Sequence, residues 1–263
     1  MEIKKKILKR TAIVLCGGRG TRLGKLGRKL PKTLVKIQNK EILWYILKIL
    51  KKNDFNQIIL PTGYKEKLIN RFLIKNKFLN FQVKSISTGQ NTNIGKRIYK
   101  IQKEILSEDV LLLNGDAIFS LNLKNIFNQH IKNKTDLTFL SSEITYPYGT
   151  IGTKNGKIVD FKRNLIYDKL SVRNKNNYLA YNYTGMAIIK KKLLHKFKES
   201  FKNNNNFEQF FFPKVIKSYK TKIFKIRGFW HSVDNIKDLQ MVDKKNVNNK
   251  KFRSTKKLKK ILK

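Results

Sequence analysis

The stretch between Leu15 and Lys32 constrains this chain more than any other. An apolar run, Thr11–Leu15, leads into it and reads as a buried strand. Gly17, Gly18 and Gly20 then arrive almost together. Glycine allows backbone angles that a Cβ forbids and lets a ligand come close to the main chain. Such a loop turns backbone N–H groups toward an anion. Arg19, Arg22, Lys25, Arg28 and Lys29 thread positive charge through it. Lys32 follows Pro31, whose fixed φ holds the local chain direction. The pattern reads as a polyphosphate site, with a glycine-rich turn carrying solvated cations as the plainer alternative.

Two commoner glycine motifs do not fit. The dinucleotide fingerprint needs a third glycine where helix packs on strand. Counted from Gly18 and Gly20, that place holds Leu23. The P-loop needs Gly-Lys followed by Ser or Thr, and Gly24-Lys25 is followed by Leu26.

Strand-like and helix-like segments alternate through the first half. Strands are expected at Thr11–Leu15, 34–37, 57–60, 81–86 and 110–113, and helices at 42–50, 65–75 and 94–105. Pro61-Thr62-Gly63 reads as a turn. This alternation predicts a mostly parallel sheet covered by helices. The second half is less regular. Strands are expected at 137–140, 186–189 and 222–226, the last extended by 229–233, and helices at 123–131, 192–197, 209–216 and 236–241. Asn155-Gly156 between 149–153 and 157–161 is a hairpin signal. From Asn246 the chain is Asn- and Lys-rich and then basic, which predicts a tail at 246–263 after a single domain at 1–245.

Length and charge narrow the classes. With 263 residues and 40% apolar content, a large α/β core is possible. No apolar run approaches the roughly 20 residues that span a bilayer. One cysteine, Cys16, cannot form an internal disulfide, so a cytoplasmic setting is expected. The net charge of +42 raises nucleic-acid binding as a rival reading. The lysines are spread along the whole chain, however, and no nucleic-acid-binding motif accompanies them. The expectation is therefore a compositional bias that also attracts phosphorylated ligands, with no specific nucleic acid and no membrane as partner.

Two carboxylates stand out. Asp116 follows Gly115 after an apolar strand, at the kind of strand end where α/β sheets bind ligands. Asp234 also follows an apolar stretch, and can equally cap the helix expected from Ile236. Between a strand and a helix, Thr88-Gly89 through Gly95-Lys96-Arg97 is a polar loop in which Thr92 offers a hydroxyl and Arg97 a forked cation. The three histidines have no zinc-like spacing, and no Gly-x-Ser-x-Gly elbow supports a serine hydrolase.

Taken in order, these marks resemble the sugar-1-phosphate nucleotidylyltransferase family. The resemblance is carried by Gly17-Gly18-Arg19-Gly20-Thr21-Arg22-Leu23, Pro31-Lys32 and Gly115-Asp116. Thr88-Gly89 to Arg97, Phe207-Glu208-Gln209 and Gly228-Phe229-Trp230 with Asp234 and Asp238 look most like its glucose-1-phosphate cytidylyltransferase branch. The family has Glu-Lys-Pro where this chain has Phe161-Lys162-Arg163, and Thr184 stands where Asn is usual before Gly185.

The resemblance implies a Rossmann-like nucleotidyltransferase fold, α/β, with a mostly parallel mixed sheet flanked by helices and a smaller β-rich sugar-binding part. It implies an enzyme that joins an NTP to a sugar 1-phosphate, with CTP and glucose 1-phosphate expected and another base or sugar of the same family as the alternative, as in nucleotide-sugar supply for cell-surface polysaccharide. Arg22 and Lys32 would be catalytic, and Asp116 and Asp234 would hold Mg²⁺. Leu15, Gly17, Gly18, Gly20, Thr21, Gly89, Thr92, Arg97 and Gly115 would bind nucleotide, and Lys162, Thr184 and Gly185 the sugar phosphate. A homo-oligomer is compatible with it. An inactive binding or regulatory module is the rival of another class.

Overall fold

The computed structural model describes residues 10–77, 82–167, 169–170, 178–203 and 206–243. The N-terminal residues 1–9, Phe81 and the expected tail at 246–263 lie outside the described residues.

Seven strands form the central sheet. Their order is Thr221–Lys225, Leu137–Ser142, Asn182–Lys190, Asp109–Asn114, Thr11–Leu15, Gln57–Thr62 and Gln82–Ser87. Asn182–Lys190 runs antiparallel to both of its neighbours, and the other pairs are parallel. The sheet is therefore mixed and mostly parallel, as expected.

The apolar runs follow from burial on both faces. Along Thr11–Leu15, Ala12 and Val14 enter one core with Leu111 and Leu113. Ile13 enters the other with Val110 and Leu112. Successive side chains point to opposite faces of a strand, so a strand covered on both sides must be apolar throughout. Helices Ile42–Lys52 and Leu123–Lys132 cover the first face, and Ile94–Ile101 and Phe207–Ser218 the second. On that second face Phe201, Phe207, Phe211 and Phe212 pack ring against ring, with Phe207 and Phe211 5.0 Å apart.

From Thr11–Leu15 the chain moves to Gln57–Thr62 and Gln82–Ser87 on one side. It then crosses back to place Asp109–Asn114 on the other side. Neighbouring strands that leave in opposite directions open a crevice at their carboxyl ends. Here that crevice lies beyond Leu15 and Asn114, which are register partners.

Several local expectations are corrected. The strand expected at 34–37 is a 3₁₀ turn, Lys32–Leu34, then a two-residue strand, Lys36–Ile37, paired with Lys40–Glu41. Gln38 and Asn39 both take positive φ, as a tight two-residue hairpin demands. The turn expected at Pro61-Thr62 is instead the end of Gln57–Thr62. Pairing with Thr11–Leu15 ends at Ile59, while pairing with Gln82–Ser87 continues to Thr62. The helix expected at 94–105 ends at Ile101 and tightens into a 3₁₀ turn, Gln102–Glu104.

Phe229–Ser232 does not extend Thr221–Lys225. It pairs with Ala117–Ser120 in a separate antiparallel ribbon. The glycine-rich stretch itself contains a 3₁₀ turn, Thr21–Leu23, and a short helix, Lys25–Lys29. The hairpin at Asn155-Gly156 forms as expected, joining Ile144–Lys154 to Lys157–Tyr167.

Leu112 is buried at the centre of the sheet, flanked by Ile13 and Ala187. Leu112→Ala should cost about 2–5 kcal/mol of stability, read as a lower urea midpoint. Ile151→Ala, on the exposed hairpin, should stay within about 0.5 kcal/mol of wild type.

Candidate active site

Glycines 17 and 115 have a steric reason to be glycine. A Cβ on Gly17 would lie 2.1 Å from Cζ of Arg97. One on Gly115 would lie 2.7 Å from the Leu15 carbonyl oxygen and 2.5 Å from Cγ2 of Thr33. The Gly115 N–H donates to Leu15 O at 3.2 Å, carrying the contact between the two strands one residue past their ends. Beyond them opens a cleft of about 390 Å³. Leu15, Gly17, Gly18, Gly20 and Lys32 line it from the first stretch, Thr92 from the loop before Ile94–Ile101 and Arg97 from that helix, and Gly115 and Asp116 from just beyond Asp109–Asn114.

At the wall of this cleft one ammonium meets two carboxylates. Lys32 Nζ donates to Asp116 Oδ2 at 2.8 Å and to Asp234 Oδ1 at 2.8 Å. The Lys32 side chain is only 15% exposed. Arg22 adds a looser contact, Nη1 to Asp234 Oδ1 at 3.7 Å, from an exposed side chain. The main chain holds the two acids together, because the Val233 N–H donates to the Asp116 carbonyl at 2.8 Å. Ser232 Oγ donates to Asp234 Oδ2 at 2.6 Å. Burial by itself would raise the Asp234 carboxyl, but the hydrogen bonds from Lys32 and Ser232 hold it below its ordinary value.

The structure shows that Asp234 is not the helix cap. The helix Ile236–Asp243 is capped by Asn235 and Asp238, which bond reciprocally. Asn235 Oδ1 accepts from the Asp238 N–H at 3.0 Å, and Asp238 Oδ2 accepts from the Asn235 N–H at 3.0 Å. This is the capping-box arrangement. Asp238 Oδ2 also takes the Asp234 N–H, at 2.8 Å. The Asp234 carboxylate is thereby left to face Lys32 and Arg22.

Arg97 is a buried tie. Its guanidinium donates to Gly17 O and Thr62 O, each at 2.9 Å, and to Thr88 Oγ1. The residue is 4% exposed, and burial lowers the guanidinium's hold on its proton. Three segments meet on it: the glycine loop, the end of Gln57–Thr62 and the loop at Thr88. Thr88 O also accepts from Thr92 Oγ1 and Lys100 Nζ, each at 2.7 Å. Thr92 therefore points its hydroxyl proton at the backbone. Burial pushes the neighbouring Cys16 thiol up to about 12, which leaves it neutral and unsuited to act as a nucleophile.

Other expected residues lie apart from the cleft lining. Thr21 is exposed in the 3₁₀ turn. Gly89 borders a second depression with Gly63 and Lys65. Thr184 is buried, its hydroxyl donating to Leu140 O at 2.8 Å. Gly185 packs on the Asn114 side chain. Lys162 stands on the hairpin, paired with Asp160 at 2.7 Å and 64% exposed.

Residues that line the cleft but were not singled out include Asn93, Asn114 and Asn206. Asn93 and Asn206 are helix N-caps, and a capping pattern gives no hint of a ligand. Glu208 was marked only through the family resemblance. Partial burial and then the charge of Asp116 push its carboxyl upward, so it senses the same site.

Comparison with known proteins gives the family of the chain. A family model described as Nucleotidyl transferase matches residues 11–248. A D-glycero-alpha-D-manno-heptose 1-phosphate guanylyltransferase from Aneurinibacillus thermoaerophilus is 31% identical over 205 residues, covering 77% of this chain and 84% of the relative. A probable glucose-1-phosphate cytidylyltransferase from Bacillus subtilis (strain 168) is 24% identical over 253 residues, covering 89% and 94%. The solved structure of HddC from Yersinia pseudotuberculosis superposes with a TM-score of 0.66 at 22% identity, covering 89% of this chain and 97% of that one, and shares the fold. The chain belongs to the nucleotidyl transferase family. Within it, the class is the one its motifs resemble, the sugar-1-phosphate nucleotidylyltransferases.

Arg97→Ala should destabilise the protein by about 3 kcal/mol, because it leaves buried acceptors of a charged donor unpaired. Urea unfolding measures it. Gly17→Ala should also destabilise, since the new methyl group must displace the same guanidinium.

Proposed function

We propose that the protein joins a nucleoside triphosphate to a sugar 1-phosphate, giving a nucleoside diphosphate sugar and pyrophosphate. The observation that carries this reading is the meeting of Lys32 with Asp116 and Asp234 beside a glycine-lined cleft. An oxygen of the sugar phosphate attacks the α-phosphorus. The bond from that phosphorus to the bridging oxygen breaks, and pyrophosphate leaves with the electron pair. Such a reaction asks the protein mainly for positioning and for stabilisation of charge. Backbone from Leu15 to Gly20 borders the nucleotide, and Gly17 and Gly18 let its phosphates approach the main chain. Lys32 and Arg22 face the charge that develops on the phosphates. Arg97 acts at one remove, by fixing the carbonyl of Gly17.

Asp116 and Asp234 would hold Mg²⁺. The fit is chemical: both carboxylates already converge on one cationic atom. Mg²⁺ is commonly held by one or two carboxylates, with substrate phosphates and water completing the set. Among the described residues no group of three or more metal-ligating side chains exists, and none is needed for that mode. When bound, the ion neutralises phosphate charge.

The base is read as cytosine, from the likeness of the loop around Thr88 to the cytidylyltransferase branch, with glucose 1-phosphate as the sugar. A second reading, GTP with a heptose 1-phosphate, is favoured by the 31% identity to the guanylyltransferase. Comparing kcat/KM for CTP, GTP, UTP, dTTP and ATP, each with both sugar phosphates, separates them. A CTP optimum supports the first and a GTP optimum the second.

Lys32→Met should lose at least about a hundredfold in kcat/KM, or roughly 2.7 kcal/mol of transition-state stabilisation. Lys25→Met, exposed on the short helix of the same stretch, should change little. Near-normal activity of Lys32→Met, or an equal fall in both variants, would remove Lys32 from the reacting phosphates. Excess EDTA should abolish turnover, and full activity in its presence would refute the assignment of Mg²⁺.

A further inference from the structure

We infer that Lys32 holds the place of the divalent cation in the nucleotide-free protein, so that the metal enters with the nucleotide and not ahead of it. The inference rests on the assignment of Mg²⁺ to Asp116 and Asp234. Its basis is the single Nζ that lies 2.8 Å from an oxygen of each carboxylate. Mg²⁺ binds oxygens at about 2.0–2.1 Å and demands near-octahedral geometry. It cannot share the space between those two oxygens with an ammonium that already fills it.

Charge leads to the same conclusion. Asp116 and Asp234 carry two negative charges, and Lys32 and Arg22 set two positive charges against them. A bare dication therefore meets a group already balanced, in a protein of net charge +42. A nucleotide changes that balance. Its phosphates offer the ammonium another partner and bring further oxygens for the metal. The acids stay in place, because Ser232 bonds the second oxygen of Asp234 and the Asp238 and Val233 contacts hold the main chain of Asp234 and Asp116. What moves is the flexible four-carbon stem of a lysine. Lys32 thus acts twice, first closing the carboxylate pair and then facing the phosphates.

Mn²⁺ binding, followed by the paramagnetic resonance of the free ion, tests this on the full chain. Nucleotide-free wild type should bind Mn²⁺ weakly, and a non-hydrolysable NTP should make the binding tight. Lys32→Met without nucleotide should bind at least about tenfold tighter than wild type, because the competing charge is gone. It should also melt higher with Mn²⁺ than without, whereas wild type should not respond. Lys32→Gln serves as the second variant if the methionine form does not fold.

Tight Mn²⁺ binding by nucleotide-free wild type overturns the inference. So does unchanged or weaker binding in a folded variant. If neither variant folds, wild type decides alone: Mn²⁺ uptake with the NTP analogue above that of the same analogue without protein supports the inference, and uptake no greater than the analogue's own overturns it. The ligand assignment fails separately, if Asp116→Asn leaves Mn²⁺ binding in the nucleotide complex intact.

Discussion

The site depends on the parallel pairing of Thr11–Leu15 with Asp109–Asn114. Five register pairs, from Thr11 with Val110 to Leu15 with Asn114, fix where each strand stops. Both strands are apolar and buried on two faces, so a slip in register would misplace a packed side chain at every step. Parallel neighbours need a crossover, and here the chain between them builds two further strands of the central sheet and the helices that cover them. The glycine loop and Gly115-Asp116 then leave the sheet side by side, although a hundred positions separate Asp116 from Cys16. Asp116 and the glycine loop can share a wall only because this ladder ends where it does.

Around that wall, positive charge is sorted by burial rather than by number. With 59 Lys and Arg against 17 Asp and Glu, cations are everywhere on the surface. Few of them are enclosed. Lys32 is held by two carboxylates, and Arg97 by carbonyls and a hydroxyl. A charge in a site of lowered polarity acts far more strongly than one in water. At the cleft two enclosed cations are thus set apart from the bulk of the charge, which supplies a general attraction for anions.

The sheet was legible because a strand buried on both faces must be continuously apolar, and 11–15, 57–60 and 110–113 are. The partner of Phe229–Ser232 was not. Local pattern marks a strand but not its neighbour, and this one pairs with residues more than a hundred positions earlier. Lys32 and Asp116 could be found from their neighbours, Pro31 and Gly115. Asp234 stayed ambiguous because Asn235 and Asp238 beside it are equally good helix caps, and only hydrogen-bond geometry shows which residue does the capping. Arg97 was recognised as a cation near the site. Its burial could not be read, since that depends on carbonyls contributed by two other segments. Lys162 and Thr184 rested on family position, and their side chains are engaged with Asp160 and Leu140.

The contact between Gly17 and Arg97 has a consequence for how such a chain can vary. The guanidinium occupies the volume that any side chain at position 17 would need. Each residue therefore sets what the other can be. An alanine at 17 is harmful while arginine stands at 97, yet becomes permissible once a shorter residue replaces it, provided something else satisfies the carbonyls of Gly17 and Thr62. Changes at the two positions are epistatic, and their order matters. A lineage that trimmed the arginine first would lose stability before the glycine became free to drift. The glycine loop is thus anchored historically as well as sterically, by a residue 80 positions away.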